Sequence, residues 1–154
     1  MMDPGAQIIA AHQDHMERVR QIAIDAYTPY LSRMDKRPAP MDADFDEDLR
    51  CGNLFVAVDG ETVAGFIVTF AREQDQFIEN IAVASSAQNR GIGYRLMVFA
   101  EAQAEQNRKR FLRLYTNEKM LESLAFYLRL GYVETRRRRQ QGYNRVYLEK
   151  RLSL

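Results

Sequence analysis

The sequence predicts an α/β fold: a single domain, residues 1–154, built on a mixed central sheet of about seven strands with helices on both faces. Three observations carry that expectation. Strand-like and helix-like apolar periods alternate along the chain. The stretch Ile78 to Gly93, IENIAVASSAQNRGIG, passes from an apolar strand through small polar residues into Gly91-Ile92-Gly93, at the mouth of a long helix-compatible segment. Three antiparallel strands precede this loop where a dinucleotide fold would need a βαβ unit, and no GxGxxG is present, so the sheet is not doubly wound.

Each element has its own signal. Gln7 to Ala11 is a short apolar first strand. From Asp14 a helical period begins, with Met16, Val19, Ile22 or Ala23 and Ala26 on one side. Asp14 is its expected N-cap, and Glu17 completes a capping box. Pro29 breaks or kinks this helix, leading into a second short piece around Tyr30 and Leu31. Pro38-Ala39-Pro40 is loop material, and Asp44 to Leu49 reads as a short acidic helix. This region is either a substrate-pocket loop or a poorly ordered connector, with Met41 and Phe45 needing something to cover. Asn53 to Val58 and Thr62 to Phe70 form a hairpin about Asp59-Gly60-Glu61, and Phe77 to Val83 is a third strand. A helix is expected from about Asn89 to Asn107, with Ile92, Leu96, Phe99 or Ala100 and Gln103 along one side. Phe111, Leu112, Leu114 and Tyr115 belong to the next strand. Leu121, Leu124, Ala125 and Leu128 then make an i, i+3, i+4, i+7 stripe ended by Gly131. Tyr132 to Arg138 and Arg145 to Leu152 close the chain as a hairpin about Gln141-Gly142-Tyr143.

Composition narrows the function. A single cysteine, Cys51, offers no disulfide framework, and His12-x-x-His15 has no third ligand, so no metal is expected. With 22 basic and 21 acidic residues the net charge is +1, which does not draw the chain to nucleic acid. Arg136 to Arg139 is the one basic run, and on a strand its side chains alternate between faces. No apolar run reaches membrane-span length, and MMDPGAQII lacks the layout of a signal peptide, so a cytoplasmic protein without membrane contact is expected. A homodimer is compatible with all of this.

The loop Ile78 to Gly93 can bind an anion. A strand delivering a short loop into a helix N-terminus concentrates unpaired N–H groups, a seat for phosphate. Here Gln88-Asn89-Arg90-Gly91-Ile92-Gly93 resembles the acetyl-CoA loop Gln/Arg-x-x-Gly-x-Gly/Ala of the GNAT superfamily of N-acetyltransferases. Ile81-Ala82-Val83 is similar to that family's fourth strand. Leu124-Ala125-Phe126-Tyr127-Leu128-Arg129-Leu130-Gly131-Tyr132 resembles its second landmark, FYxxLGF. The resemblance covers essentially the whole chain.

It implies an acetyl-CoA-dependent N-acetyltransferase acting on a primary amine of a small molecule. The pyrophosphate would sit on the N–H groups of Asn89 to Gly93, with glycine at 91 and 93 leaving room for the phosphates and Arg90 adding charge. The pantetheine arm would pair with the strand bearing Ala82 and Val83, splayed from the strand around Leu114, and an amide near Val83 would polarise the thioester. Tyr127 lies off the leucine stripe, so it need not be core, and it matches the family tyrosine that protonates the CoA sulfur. The family often has asparagine where Met120 stands and alanine where Ser123 stands. That exchange removes a polar group near the cofactor arm.

The base is read from the strand. Glu79 is a carboxylate among apolar residues, sharing a face with Ile81 and Val83 while Asn80 points the other way. It is the expected base or amine-binding group, with Asp75 as fallback. Tyr30, Arg37 to Phe45, and Gly142 to Tyr147 with Glu149-Lys150 resemble a bacterial branch of small members. They are expected to border the acceptor site, with Met41, Phe45 and Tyr143 as apolar walls. Two rivals remain: a protein N-terminal or lysine acetyltransferase, which needs an open groove between residues 30–45 and the last hairpin, and a non-catalytic CoA-binding protein.

Overall fold

The computed structural model describes residues 5–153. Strand β1 (Ala6–Ala10) leads through a 3-10 turn, Gln13–His15, into α1 (Met16–Tyr27). Asp14 is not the N-cap expected of it. It lies within the turn, where His12 N–H donates to His15 Nδ1 at 3.0 Å and takes the place of a carboxylate cap. Pro29 ends α1 as anticipated, and Thr28–Arg33 continues as 3-10 helix. A further 3-10 segment, Ala39–Asp42, precedes α2 (Phe45–Arg50), whose N-cap Asp44 accepts the Glu47 N–H at 3.0 Å.

The remaining elements are β2 (Leu54–Asp59), β3 (Thr62–Ala71), β4 (Gln76–Val83), α3 (Ile92–Gln106), β5 (Phe111–Asn117), α4 (Leu121–Arg129), β6 (Val133–Gln140) and β7 (Tyr143–Arg151). They form one seven-stranded sheet in the order β1-β2-β3-β4-β5-β7-β6. Every pairing is antiparallel except β4 with β5, whose parallel crossover is α3. Tyr143 joins β7, because Gln141 (φ 54°) and Gly142 (φ 81°) alone complete a type I′ turn.

Helices do cover both faces. On β3, a Cβ at Gly65 would meet Ile92 Cγ2 at 3.3 Å and Leu96 Cδ1 at 3.4 Å, so that side faces α3. The next residue points the opposite way, and Phe66 stands edge-on to Phe45 of α2 at 5.3 Å. Helix α3 starts at Ile92, later than expected, because Asn89 (φ 65°) and Gly91 (φ 78°) hold left-handed dihedrals that no α-helix includes. No helix among the described residues is long and apolar enough to cross a membrane.

Helix α4 departs from its leucine stripe. Leu121 is 63 % exposed and Leu128 48 %, whereas Tyr127 is 7 % exposed. The helix lies over an opening in the sheet, so Ser123 and Tyr127, one turn apart, point inward and the stripe's outer edge meets solvent. That opening comes from β4 and β5, which pair only at Gln76 with Leu112 and Phe77 with Arg113 before diverging.

Candidate active site

Two spaces open off the split between β4 and β5, and they share Tyr27, Ile81, Ser123 and Tyr127 as walls. The first is a cleft along the end of β4, the loop after it and the start of α3. It brings together Ala82, Val83, Gln88, Asn89, Gly91, Ile92, Gly93, Ser123 and Tyr127, all anticipated as cofactor-binding. Arg90 is the exception. Its guanidinium turns away to pair with Asp59 Oδ2 of β2 at 2.5 Å, because an opposite charge lies within reach there.

The cleft fits a phosphate-bearing, arm-like ligand. Arg95 N–H donates to Gly91 O at 3.0 Å, the first α-helical bond of α3, so the N–H groups of Ile92, Gly93 and Tyr94 precede the ladder. Gly91 holds a left-handed φ of 78°, a backbone conformation that side chains disfavour. Gly93 is different: a Cβ there would make only ordinary contacts, 3.4 Å to Phe126 Cζ and 3.6 Å to Val83 Cγ2. Protein packing therefore does not demand glycine at 93, and the cleft beside it is left open. Gln88 Nε2 donates to Val83 O at 3.1 Å and fixes the loop to the strand end.

The second space is a cavity of about 190 Å³ between β4, β5, β7 and residues 34–48. Met34, Ala39, Pro40 and Ala43 form its outer wall, Tyr143 and Arg145 enter from β7, and Asp48 from α2. Met41 and Phe45 are not walls, as expected, but buried anchors: 8 % and 4 % exposed, they pin this segment to the core. The segment is also fastened to the last hairpin. Lys36 Nζ donates to Gln141 O at 2.9 Å and lies over the Tyr143 ring, while Tyr143 O–H donates to Arg37 O at 2.6 Å.

Where the two spaces meet, tyrosines dominate. Burial, then the neighbouring Tyr30, raise the Tyr127 pKa well above that of an ordinary phenol, so it keeps its proton at neutral pH. Tyr27 lies 3.0 Å from Asn80 Oδ1 and 2.9 Å from Ile81 O, yet has one proton to give. Its O–H is shared between these two acceptors, and the buried Asn80 Nδ2 beside them has no partner among the described residues. The shared O–H clamps α1 to β4 beside Ala82 and Val83.

The matched family and structures agree with this geometry. The model of the acetyltransferase (GNAT) family matches residues 16–132, which include the whole cleft and the lining of the cavity apart from Tyr143 and Arg145. The chain belongs to the GNAT family. It is thus an acetyl-CoA-dependent acetyltransferase, an acyltransferase by class. Among solved structures it is similar to PaiA N-acetyltransferase from Thermoplasma acidophilum in complex with coenzyme A, with TM-score 0.80, 14 % identity and coverage of 95 % and 98 % of the two chains. It is also similar to the ribosomal-protein-S18-alanine N-acetyltransferase from Escherichia coli, with TM-score 0.71, 17 % identity and coverage of 97 % and 95 %. A nourseothricin acetyltransferase matches over 65 % of each chain at TM-score 0.60 and 22 % identity. At such identities the likeness speaks for the GNAT fold. No individual curated protein matches by sequence.

The carboxylates of this GNAT domain sit in three different settings. Glu79 is not buried. It is exposed at a β-bulge of β4, where the register with β3 jumps between Val68 and Thr69 and leaves Glu79 unpaired. It still lines the cavity, and partial desolvation raises its pKa. Asp75 is no substitute. Burial alone would raise its pKa, but Arg72 at 2.7 Å and Arg113 at 3.1 Å hold it below the ordinary value, in an ion-pair network away from the cavity. Asp48 is the residue that sequence reasoning missed. Burial first, then Glu79, Asp44 and Glu47, raise it to about 6. Its only signal in the sequence was membership of an acidic helix, which does not separate it from Asp44, Asp46 or Glu47. Met120 caps α4 and lines the cavity beside Thr116. Among the described residues no three His, Cys, Asp or Glu side chains cluster as metal ligands.

Proposed function

We propose that this GNAT enzyme acetylates the primary amine of a small molecule, with the donor in the cleft and the amine in the cavity. The observation that carries this reading is the bond set fastening residues 36–37 to Gln141 and Tyr143, which ties together the two segments that wall the cavity, where a protein acceptor would need a groove open between them. At about 190 Å³ the cavity is smaller than the usual sites for drug-sized ligands, roughly 300–1,000 Å³, and suits a short amine.

The donor supplies a thioester carbonyl and a thiolate leaving group. The N–H groups of Ile92, Gly93 and Tyr94, at the positive end of α3, would hold its pyrophosphate, with Gln88 and Asn89 shaping the loop. Backbone groups of Ala82 and Val83 at the open edge of β4 would align its arm, beside Ser123. Tyr127, protonated and shared by both spaces, is the proton source for the departing sulfur. A free alkylamine, with a pKa near 10.4, is mostly protonated at neutral pH and must lose a proton before attack. Glu79 and Asp48 are the carboxylates in the cavity, and raised pKa values make both better acceptors of that proton than ordinary carboxylates.

The test is a panel of small primary amines and short peptides incubated with acetyl-CoA, with released thiol detected. Turnover of small amines at least roughly tenfold faster than of peptide N-termini or lysines is expected. The reverse order would overturn the small-molecule reading.

A further inference from the structure

Arg145 is the buried charge that the proposed chemistry does not use. It is 7 % exposed, lines the acceptor cavity from β7, and lies within the Gly142 to Tyr147 stretch. Its guanidinium is stacked over the Tyr115 ring at 4.2 Å and stands 5.7 Å from that of Tyr143. NH1 donates to Gln140 Oε1 and NH2 to Gln141 Oε1, each at 3.1 Å, both neutral acceptors. A guanidinium carries five N–H groups, so donor capacity remains, and no carboxylate among the described residues pairs with it. A buried cation held only by amide oxygens and aromatic faces is costly unless something completes its charge.

The negative charge of the cavity lies on the opposite flank. Glu79 projects from β4 and Asp48 from α2, and Asp48 is influenced by Glu79 but by no arginine. In the sheet, β5 intervenes between β4 and β7, which sets the backbones that bear Glu79 and Arg145 about 10 Å apart at ordinary strand spacing. The cavity is thus polarised, carboxylates at one end and a guanidinium at the other.

We propose that the acceptor is a zwitterion, a primary amine carrying a carboxylate several bonds away, and that Arg145 determines specificity by binding that carboxylate. This rests on the small-amine reading above and narrows it. The amine points to Glu79 and Asp48, while the carboxylate takes the free N–H groups of Arg145 in the paired geometry that guanidinium favours. Because the poles are well separated, a longer ω-amino acid fits better than glycine.

The experiment compares matched pairs: 4-aminobutyrate with propylamine, and 6-aminohexanoate with pentylamine, each with acetyl-CoA and thiol detection. In the wild-type enzyme the carboxylated member should have a kcat/KM at least roughly tenfold higher, the discrimination expected of a site built for a polar group. In Arg145→Met the ratio should fall to near one, and Arg145→Lys should retain part of it. A second readout is thermal stabilisation by butyrate or hexanoate, which lack the amine and cannot react. It should be present in the wild type and absent in Arg145→Met. Turnover of alkylamines with no preference for the carboxylated partner overturns this proposal and leaves the small-amine reading standing. Arg145-dependent stabilisation without turnover of any amine does the opposite. An equal ratio in the wild type and both variants assigns Arg145 to packing alone.

Discussion

Replacing Asp48 by asparagine should make the protein more stable, by an amount that grows as pH rises. Burial and the neighbouring Glu79, Asp44 and Glu47 raise this carboxyl from 3.8 to about 6. Between those values the folded chain holds a proton that the unfolded chain has released. Stability therefore falls as pH rises through that window and levels off above about 6. At 1.36 kcal/mol per pH unit the ceiling is about 3 kcal/mol. Asp48 is only partly buried, and screening by water brings the expectation to about 1–2 kcal/mol. Asparagine cannot ionise, so the advantage of D48N over the wild type should increase by that amount between pH 4 and pH 7. Urea unfolding followed by circular dichroism at one-unit pH steps measures it directly. A difference that stays constant across the window would refute the assignment of a raised pKa to Asp48. In the acetylation assay the same variant should lose the limb of the kcat/KM profile centred near pH 6.

Three further outcomes follow from the site. Glu79→Gln should lower kcat/KM for amines and move the acidic limb downward, because the Glu79 charge helps hold Asp48 up; acetyl-CoA affinity by calorimetry should be unchanged. Asp75→Asn should leave that limb in place while destabilising the fold by about 1 kcal/mol, because the arginines left behind are part-exposed and Arg113 keeps Glu149. The contribution of Asp75, whose pKa is lowered, is present at neutral pH and disappears on acidification below 3.8, so wild type and D75N should converge in acid. Gly91→Val forces a β-branched side chain to a φ of 78°, costing about 1–2 kcal/mol, and should abolish acetyl-CoA binding while a cooperative thermal transition persists.

The elements with regular periods could be read from the sequence because each local signal agreed with its tertiary setting. Pro29 ends α1, Gly142 turns the last hairpin, and the run from Thr62 to Phe70 is a strand, as expected. The turn between β4 and α3 was also readable, since glycine at 91 suits the left-handed dihedral found there. What periodicity could not supply was orientation against an irregular surface. The α4 stripe promised a leucine face, but the split between β4 and β5 turns Tyr127 inward, and nothing local to α4 records that split. Glu79 shares a face with Ile81 and Val83, as read, but an apolar run does not record how open that face is at 79. Met41 and Phe45 were placed at the acceptor cavity when they anchor its loop. Asp48 went unremarked, and Arg145 was read only as part of the Gly142 to Tyr147 stretch, because burial by distant elements, and not sequence context, sets them apart from other charged residues.

The central claim is that donor cleft and acceptor cavity meet at Tyr127 and that its hydroxyl gives up the proton the departing sulfur needs. Tyr127→Phe removes that oxygen and keeps the ring in its buried place. With the best amine from the panel, and under conditions where chemistry limits turnover, kcat should fall roughly 10- to 1,000-fold, the order of a lost general acid. The acetyl-CoA dissociation constant from calorimetry should change little. An unchanged kcat in Y127F, with chemistry limiting, would contradict the account and return Tyr127 to packing.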